Sequence, residues 1–249
     1  MQKLFNKLLL ASLVYSSAVF AQKTDTAKRE MLKNIFYEIK SEKQISYKYI
    51  ITANFPDGTT QAVKGNVLID ADKKILVNDC SAMTLILTGD WYYNADHREK
   101  SVDIVNLKNS KRRIAKEKAQ DIAFGNNEIM DVYVDSAILK YGIIKQFIQK
   151  GDYVSIAITF PSQISIRSID MIYDQKRKMP VVYTVKAYFP WPAKGDPRFK
   201  GKGTTKTVKC IDYRKDVEKN GYNTDNFFVV NSGIAVLKKY KTYKVKTEL

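Results

Sequence analysis

Histidine occurs once in these 249 residues, tryptophan and cysteine twice each, and proline six times. Each scarcity narrows the chemistry. The lone histidine, His97 in Ala-Asp-His-Arg-Glu-Lys, has no partners at metal-ligand spacing and no serine on a recognisable nucleophile elbow, so a solvated turn residue is expected. The carboxylate pairs Asp70/Asp72 and Asp131/Asp135 match no established catalytic or calcium-loop pattern; turn and cap duties account for them. Gly201-Lys202-Gly203-Thr204-Thr205 lacks the full spacing of a phosphate loop. No catalytic residue, metal or cofactor is therefore expected, and the chain is read as a non-enzyme. With two cysteines, Cys80 and Cys210, one disulfide at most can form; it would close a loop of about 130 residues, worth about 5 kcal/mol by chain entropy. Two buried free thiols are the other outcome, and the sequence leaves both open.

Long apolar runs are missing beyond the N-terminus. Met1–Ala21 carries Lys3 and Lys7, an apolar LLLASLV and small residues up to Ala21, the layout of a secretory signal peptide cleaved before Gln22. The run is too short to span about 30 Å of hydrocarbon. No cysteine follows the cleavage point, so an unanchored periplasmic protein is expected, with residues 22–249 as a single domain.

What is abundant is positive charge and aromatic area. Lysine and arginine number 42 against 26 acidic residues, for a net +16, which falls to +14 once Lys3 and Lys7 are removed. In an exported chain that surface points to anionic lipid head groups or an acidic envelope protein rather than nucleic acid. With 45% hydrophobic residues, 16 tyrosines and 11 phenylalanines, the chain has the material for a substantial core, which excludes wholesale disorder.

The periodicity is mostly that of strands. An amphipathic helix is expected over Thr26–Ser41, with Met31, Ile35 and Ile39 at four-residue spacing and Leu32 and Phe36 beside them. Alternating segments follow at Gln44–Phe55, Ala62–Asp70, Lys73–Asp79, Met83–Thr88, Asp90–Asn94 and Ser101–Asn106, joined by tight turns such as Pro56-Asp57-Gly58. Lys108–Phe124 reads as a basic helical segment. Asp135–Lys150 reads as a second helix ended by Gly151, so 108–150 forms a helical insertion. Strands resume at Tyr153–Phe160, Ile164–Asp174, Val181–Phe189, Thr204–Tyr213, Asn226–Val236 and Lys239–Lys246, with a Pro/Gly/Lys loop over 190–203. The architecture expected is α+β: one strongly curved antiparallel sheet, a half-barrel, whose concave face is covered by α-helices. Helix-covered bowls of this kind often retain an apolar cavity.

Two stretches make this order of elements resemble a known family. Gly65-Asn66-Val67-Leu68-Ile69 and Leu85-Ile86-Leu87-Thr88-Gly89-Asp90-Trp91-Tyr92-Tyr93-Asn94, after an amphipathic helix, resemble the LolA-like superfamily of periplasmic lipoprotein carriers. Gly151–Pro161 and Phe227–Gly233 resemble its later strands. The family's Pro-containing strand with a basic-Trp ending is absent from Asp70–Asp79, and the basic central segment and the 190–203 loop look like insertions. The resemblance implies a monomeric carrier or chaperone that holds acyl chains of a lipid or lipoprotein in an inner cavity. Tyr47, Tyr49, Val67, Ile69, Leu85, Leu87, Trp91 and Tyr93 are the candidate lining; the other reading is that they fill a dry core. Lys111, Arg112, Arg113 and Lys116 are candidates for an anionic head group or an acidic partner, against a solvated helix face. A second function class stays open, an interaction subunit of a cell-envelope machine using the same fold with a filled core.

Overall fold

The computed structural model describes residues 26–39, 41–108, 141–190, 196–215, 224–231 and 234–248. The expected signal peptide (1–21) and nearly all of the basic segment, including Lys111, Arg112, Arg113 and Lys116, lie outside them. One α-helix, α1, covers 26–39. Its buried residues are Leu32, Ile35, Phe36 and Ile39, at i, i+3, i+4 and i+7, while Met31 stays 38% exposed, so the stripe is centred one residue later than Met31 suggests.

The strands are β1 (Gln44–Asn54), β2 (Thr60–Asp70), β3 (Ile75–Cys80), β4 (Met83–Leu87), β5 (Trp91–Asp96), β6 (Ser101–Asn106), β7 (Ile143–Lys150), β8 (Tyr153–Thr159), β9 (Ile166–Asp174), β10 (Met179–Pro190), β11 (Gly203–Arg214), β12 (Phe228–Asn231), β13 (Ile234–Leu237) and β14 (Lys244–Glu248). Twelve of them form one open sheet in the order β14-β6-β5-β4-β3-β2-β1-β11-β10-β9-β8-β7. Every pairing in it is antiparallel except β14 with β6. The sheet is large and curved and does not close. One apolar cluster reaches from Leu85 on β4 across to Val154 on β8 and includes the buried stripe of α1. Eight flat strands would stretch about 34 Å, far beyond a helix about 10–12 Å across, so the sheet bends around α1.

Several covering helices are not what the described residues show; α1 is the one helix among them that lies on the sheet. Part of the expected second helix, 143–150, is instead the edge strand β7. Ile143, Ile144, Phe147 and Ile148 fit either period, and glycine at 151 serves a helix end or a hairpin equally well. Pairing decides it: Lys150 faces Tyr153 across Gly151-Asp152, with Gly151 at φ 60°, a two-residue hairpin. The segment 226–236 is also not one strand. It folds as the β12–β13 hairpin, a separate two-stranded sheet.

Three hairpins share one sequence device. Asp70, Asp96 and Asp174 each end a strand, and each is followed four positions later by a lysine with positive φ: Lys74 (55°), Lys100 (48°) and Lys178 (55°). The aspartate carboxylate accepts turn N–H groups, from Lys73 at 3.1 Å, from Arg98 and Glu99 at 2.8 and 2.9 Å, and from Arg177 at 2.9 Å. A carboxylate that closes the turn onto itself specifies these hairpins with few glycines. The left-handed lysines carry the cost. Lys100→Gly is expected to stabilise the fold by about 0.5–1 kcal/mol, read as a raised midpoint in urea, because glycine meets φ 48° without steric penalty.

A bulge on β11 places another core residue. The β1–β11 register slips between Ser46↔Arg214 and Lys48↔Ile211, and Asp212 takes φ 57° there. Lys48 Nζ sits 2.8 Å from the Asp212 carboxylate, and Tyr213 is turned inward to stack on Tyr47 at 5.0 Å between centroids.

Candidate functional site

Strand alternation sorts the candidate lining residues between the two sides of the sheet. On the side of α1 lie Tyr47, Tyr49, Val67, Leu85 and Leu87, all buried, with Ile69 partly buried beside them. Cross-strand partners share a face, and the rows Tyr47↔Val67 and Ile69↔Leu76↔Leu87↔Tyr92 lie on this one. Burial pushes the Tyr47 and Tyr183 phenols well above the usual tyrosine value. Burial, then the neighbouring Cys80, raises Tyr49, whose hydroxyl donates to Asn78 Oδ1 at 2.9 Å. This interior is apolar, but it carries tyrosine hydroxyls among the aliphatic side chains.

Trp91 and Tyr93 do not line that interior. Tyr93 pairs with Ile86 rather than Leu87, which puts it, with Trp91 two residues earlier, on the opposite face. There the β12–β13 hairpin covers them. Tyr93 stacks on Phe228 at 5.7 Å and meets Phe227 at 5.5 Å, while Trp91 stands edge-on to Phe228 at 5.3 Å. The segment that resembles the family strand opens a hairpin: Thr88 Oγ1 accepts from the Trp91 N–H at 2.9 Å and Thr88 N–H donates to the Trp91 carbonyl at 2.8 Å. Of its aromatics only Tyr92 packs on the α1 side.

Cys80 and Cys210 are free thiols. The register explains why: Cys80↔Gly65, Gly65↔Tyr49 and Tyr49↔Cys210 make a row of four strands, placing the cysteines about 14 Å apart, where a disulfide needs Cα atoms within about 7 Å. Burial pushes the Cys210 thiol up to about 11, so it packs as a small apolar group.

His97 is not a solvated turn residue. Thr84 Oγ1 donates to Asp79 Oδ1 at 2.7 Å and lies 3.1 Å from both His97 Nε2 and the Tyr240 hydroxyl; the Tyr243 hydroxyl is 3.2 Å from His97 Nδ1. The imidazole packs against Tyr240 (4.8 Å) and Tyr243 (6.0 Å), two rings that stack on each other at 5.1 Å, fastening the C-terminal segment to the β5–β6 turn. Sequence reasoning missed this because Tyr243 is 146 positions from His97 and Tyr240 is 156 positions from Thr84. Among the described residues no group of three or more His, Cys, Asp or Glu side chains could hold a metal ion, and no helix is long and apolar enough to cross a membrane.

The helix is tied down at its C-terminal end. The Tyr173 hydroxyl donates to Glu38, the Lys178 ammonium lies 3.1 Å from the same carboxylate, and Lys215 pairs with Glu42. At the other end Arg29 Nη2 donates to the Gly142 carbonyl at 3.1 Å. Burial works to raise the Glu38 carboxyl, but the hydrogen bonds from Tyr173 and Lys178 and the charges of Lys178 and Lys215 outweigh it and hold it below the ordinary glutamate value. A carboxyl depressed in the folded state contributes stability that is fully present above its unfolded value, about 4.3, and is lost as pH falls through the folded value. Unfolding monitored from pH 6 down to pH 3 should therefore show the wild type losing stability faster than Glu38→Gln. At neutral pH the variant should be weaker by about 1 kcal/mol, a modest figure because the site is partly solvated.

No family model matches the chain, and no curated protein matches it either. Solved structures to which it is similar include an uncharacterised conserved protein from Thermus thermophilus, with TM-score 0.40, 7% identity, and coverage of 88% of this chain and 99% of that one. A LolA superfamily protein from Nitrosomonas europaea follows at TM-score 0.33 and 10% identity, covering 78% and 98% of the two chains. A DUF1329 family protein from Desulfovibrio piger stands at TM-score 0.31 and 8% identity, covering 81% and 95%. The superfamily resembled by the sequence motifs is thus among the structures this chain is similar to.

Proposed function

We propose that this protein is a non-enzymatic periplasmic carrier that receives the acyl chains of a lipid, or of an acylated lipoprotein, on the α1 side of its sheet. The observation that carries this reading is a single apolar surface, running from β4 to β8, packed against one helix with polar ties at its two ends. A single short helix is marginal by itself, so its place depends on that surface, and an apolar competitor can take its place there. Each buried methylene contributes about 0.8 kcal/mol, which holds an acyl chain without directional chemistry. The leader-like Met1–Ala21 supports export. Native mass spectrometry and solvent extraction of purified protein, with titration of a fluorescent fatty acid, form the test. Copurified lipid and saturable binding displaced by unlabelled fatty acid are expected. An empty protein without saturable binding overturns the carrier.

A second reading, an interaction subunit of a cell-envelope assembly with a filled core, is favoured by the full burial of Phe36 on the helix and of Ile169 and Tyr183 on the strands of the same cluster. The empty outcome of the same measurement supports it.

A further inference from the structure

The β12–β13 hairpin is apolar on both of its faces. Phe228 and Leu237 point into the sheet and are buried; Val230 and Ala235 pack beside them. The opposite side has no layer over it among the described residues. The cross-strand pair Val229↔Val236 faces outward with Ile234, and Ile234 and Val236 are 66% and 50% exposed. Next to them, Val245 on the edge strand β14 is 41% exposed. Between hairpin and edge strand runs an open cleft of about 650 Å³, walled by Val229, Val236 and Val245 and by two charged residues, Lys238 and Lys241. Neither ammonium has a carboxylate partner among the described residues. A third ammonium, Lys239 Nζ, lies over the rings of Phe227 (5.0 Å) and Tyr240 (4.9 Å).

We propose that this hairpin and the adjoining cleft form a peripheral docking site for an anionic phospholipid bilayer, with Ile234, Val236 and Val245 entering the interface and Lys238 and Lys241 meeting the head-group phosphates. Charge complementarity selects this occupant. The patch has no acidic side chain among its walls, so a second copy would set lysine against lysine between two chains of net +16. Exposed aliphatic residues flanked by unpaired lysines are the composition that binds anionic interfaces, where apolar insertion and phosphate attraction add. The site lies on the face of the sheet opposite α1, so it stands or falls independently of the carrier reading.

Sedimentation of the purified protein with vesicles of phosphatidylglycerol and phosphatidylcholine, and with vesicles of phosphatidylcholine alone, is the test. Binding to the anionic vesicles, weakened by salt, and none to the neutral ones is expected. Lys241→Gln should weaken it roughly fivefold. The double variant Ile234→Ser/Val236→Ser, whose side chains face outward and leave the fold intact by circular dichroism, should weaken it on the order of tenfold or more. Lys150→Gln, at the far edge of the sheet on β7, serves as the charge control and should leave binding unchanged. Absence of binding to anionic vesicles overturns the proposal, as does a loss by Lys150→Gln equal to that by Lys241→Gln, or no effect of the serine pair. A concentration-dependent dimer in sedimentation velocity that the serine pair abolishes also overturns it, in favour of a second copy.

Discussion

Phe36→Ala is expected to lower the free energy of unfolding by about 3–5 kcal/mol, the largest loss for any side chain of α1. Phe36 is completely buried at the centre of the stripe Leu32, Ile35, Phe36 and Ile39, and the cluster around it draws on strands from β4 to β8. Removing the ring takes away apolar burial and leaves a cavity that a curved sheet on one side and a helix on the other cannot both close. The loss should be visible twice. Urea unfolding reports the drop in stability, and a dye that fluoresces on apolar surfaces should bind the variant more strongly, since a short helix without its central anchor leaves the sheet more often. A loss below about 1 kcal/mol with unchanged dye binding would mean that α1 is not the element that closes this face.

Gly65→Ala is expected to cost about 3 kcal/mol, although it adds a single methyl group. A Cβ at Gly65 would lie 2.6 Å from Tyr49 Cζ and its hydroxyl oxygen and 2.7 Å from Cys80 Cβ. The Tyr49 ring rests across the glycine because no side chain intervenes. It cannot swing aside cheaply, since its hydroxyl is held by Asn78, itself buried. The Cys80 contact is a main-chain-proximal carbon and has no freedom to retreat. A double-mutant cycle with Tyr49→Ala tests the cause: once the ring is gone the methyl group has room, so the pair should destabilise by clearly less than the sum of the two singles. Additive losses would show that the ring is not what Gly65 accommodates.

Much of the sheet was legible locally. β1 to β6 and β8 to β11 lie where alternation and turn residues place them, and from β1 to β6 and from β8 to β10 the registers are closed by short connections whose chemistry sits in neighbouring positions. The motif of aspartate and, four residues on, lysine at 70/74, 96/100 and 174/178 was present in the sequence as well. β7 was not legible, since Ile143, Ile144, Phe147 and Ile148 satisfy both periods and only pairing with β8 separates them. Nor was the face of Trp91 and Tyr93. Leu85, Ile86 and Leu87 run apolar without interruption, and where both sides of a strand are covered, alternation says which residues share a face but not which face it is. The candidate site divided along that line: six of its residues gather under α1, and two belong to the layer beneath the β12–β13 hairpin.

By itself the sequence determined the excess of positive charge, the helix at 26–39 and the succession of strands, all of which depend on composition or on residues a few positions apart. The tertiary structure alone decided that Cys80 and Cys210 stand at opposite ends of a four-strand row, that His97 clasps Tyr243 and that the C-terminal hairpin roofs the second face. Those features join residues more than a hundred positions apart, and no local pattern encodes a contact whose energy exists only once the sheet has assembled and brought its partners within reach.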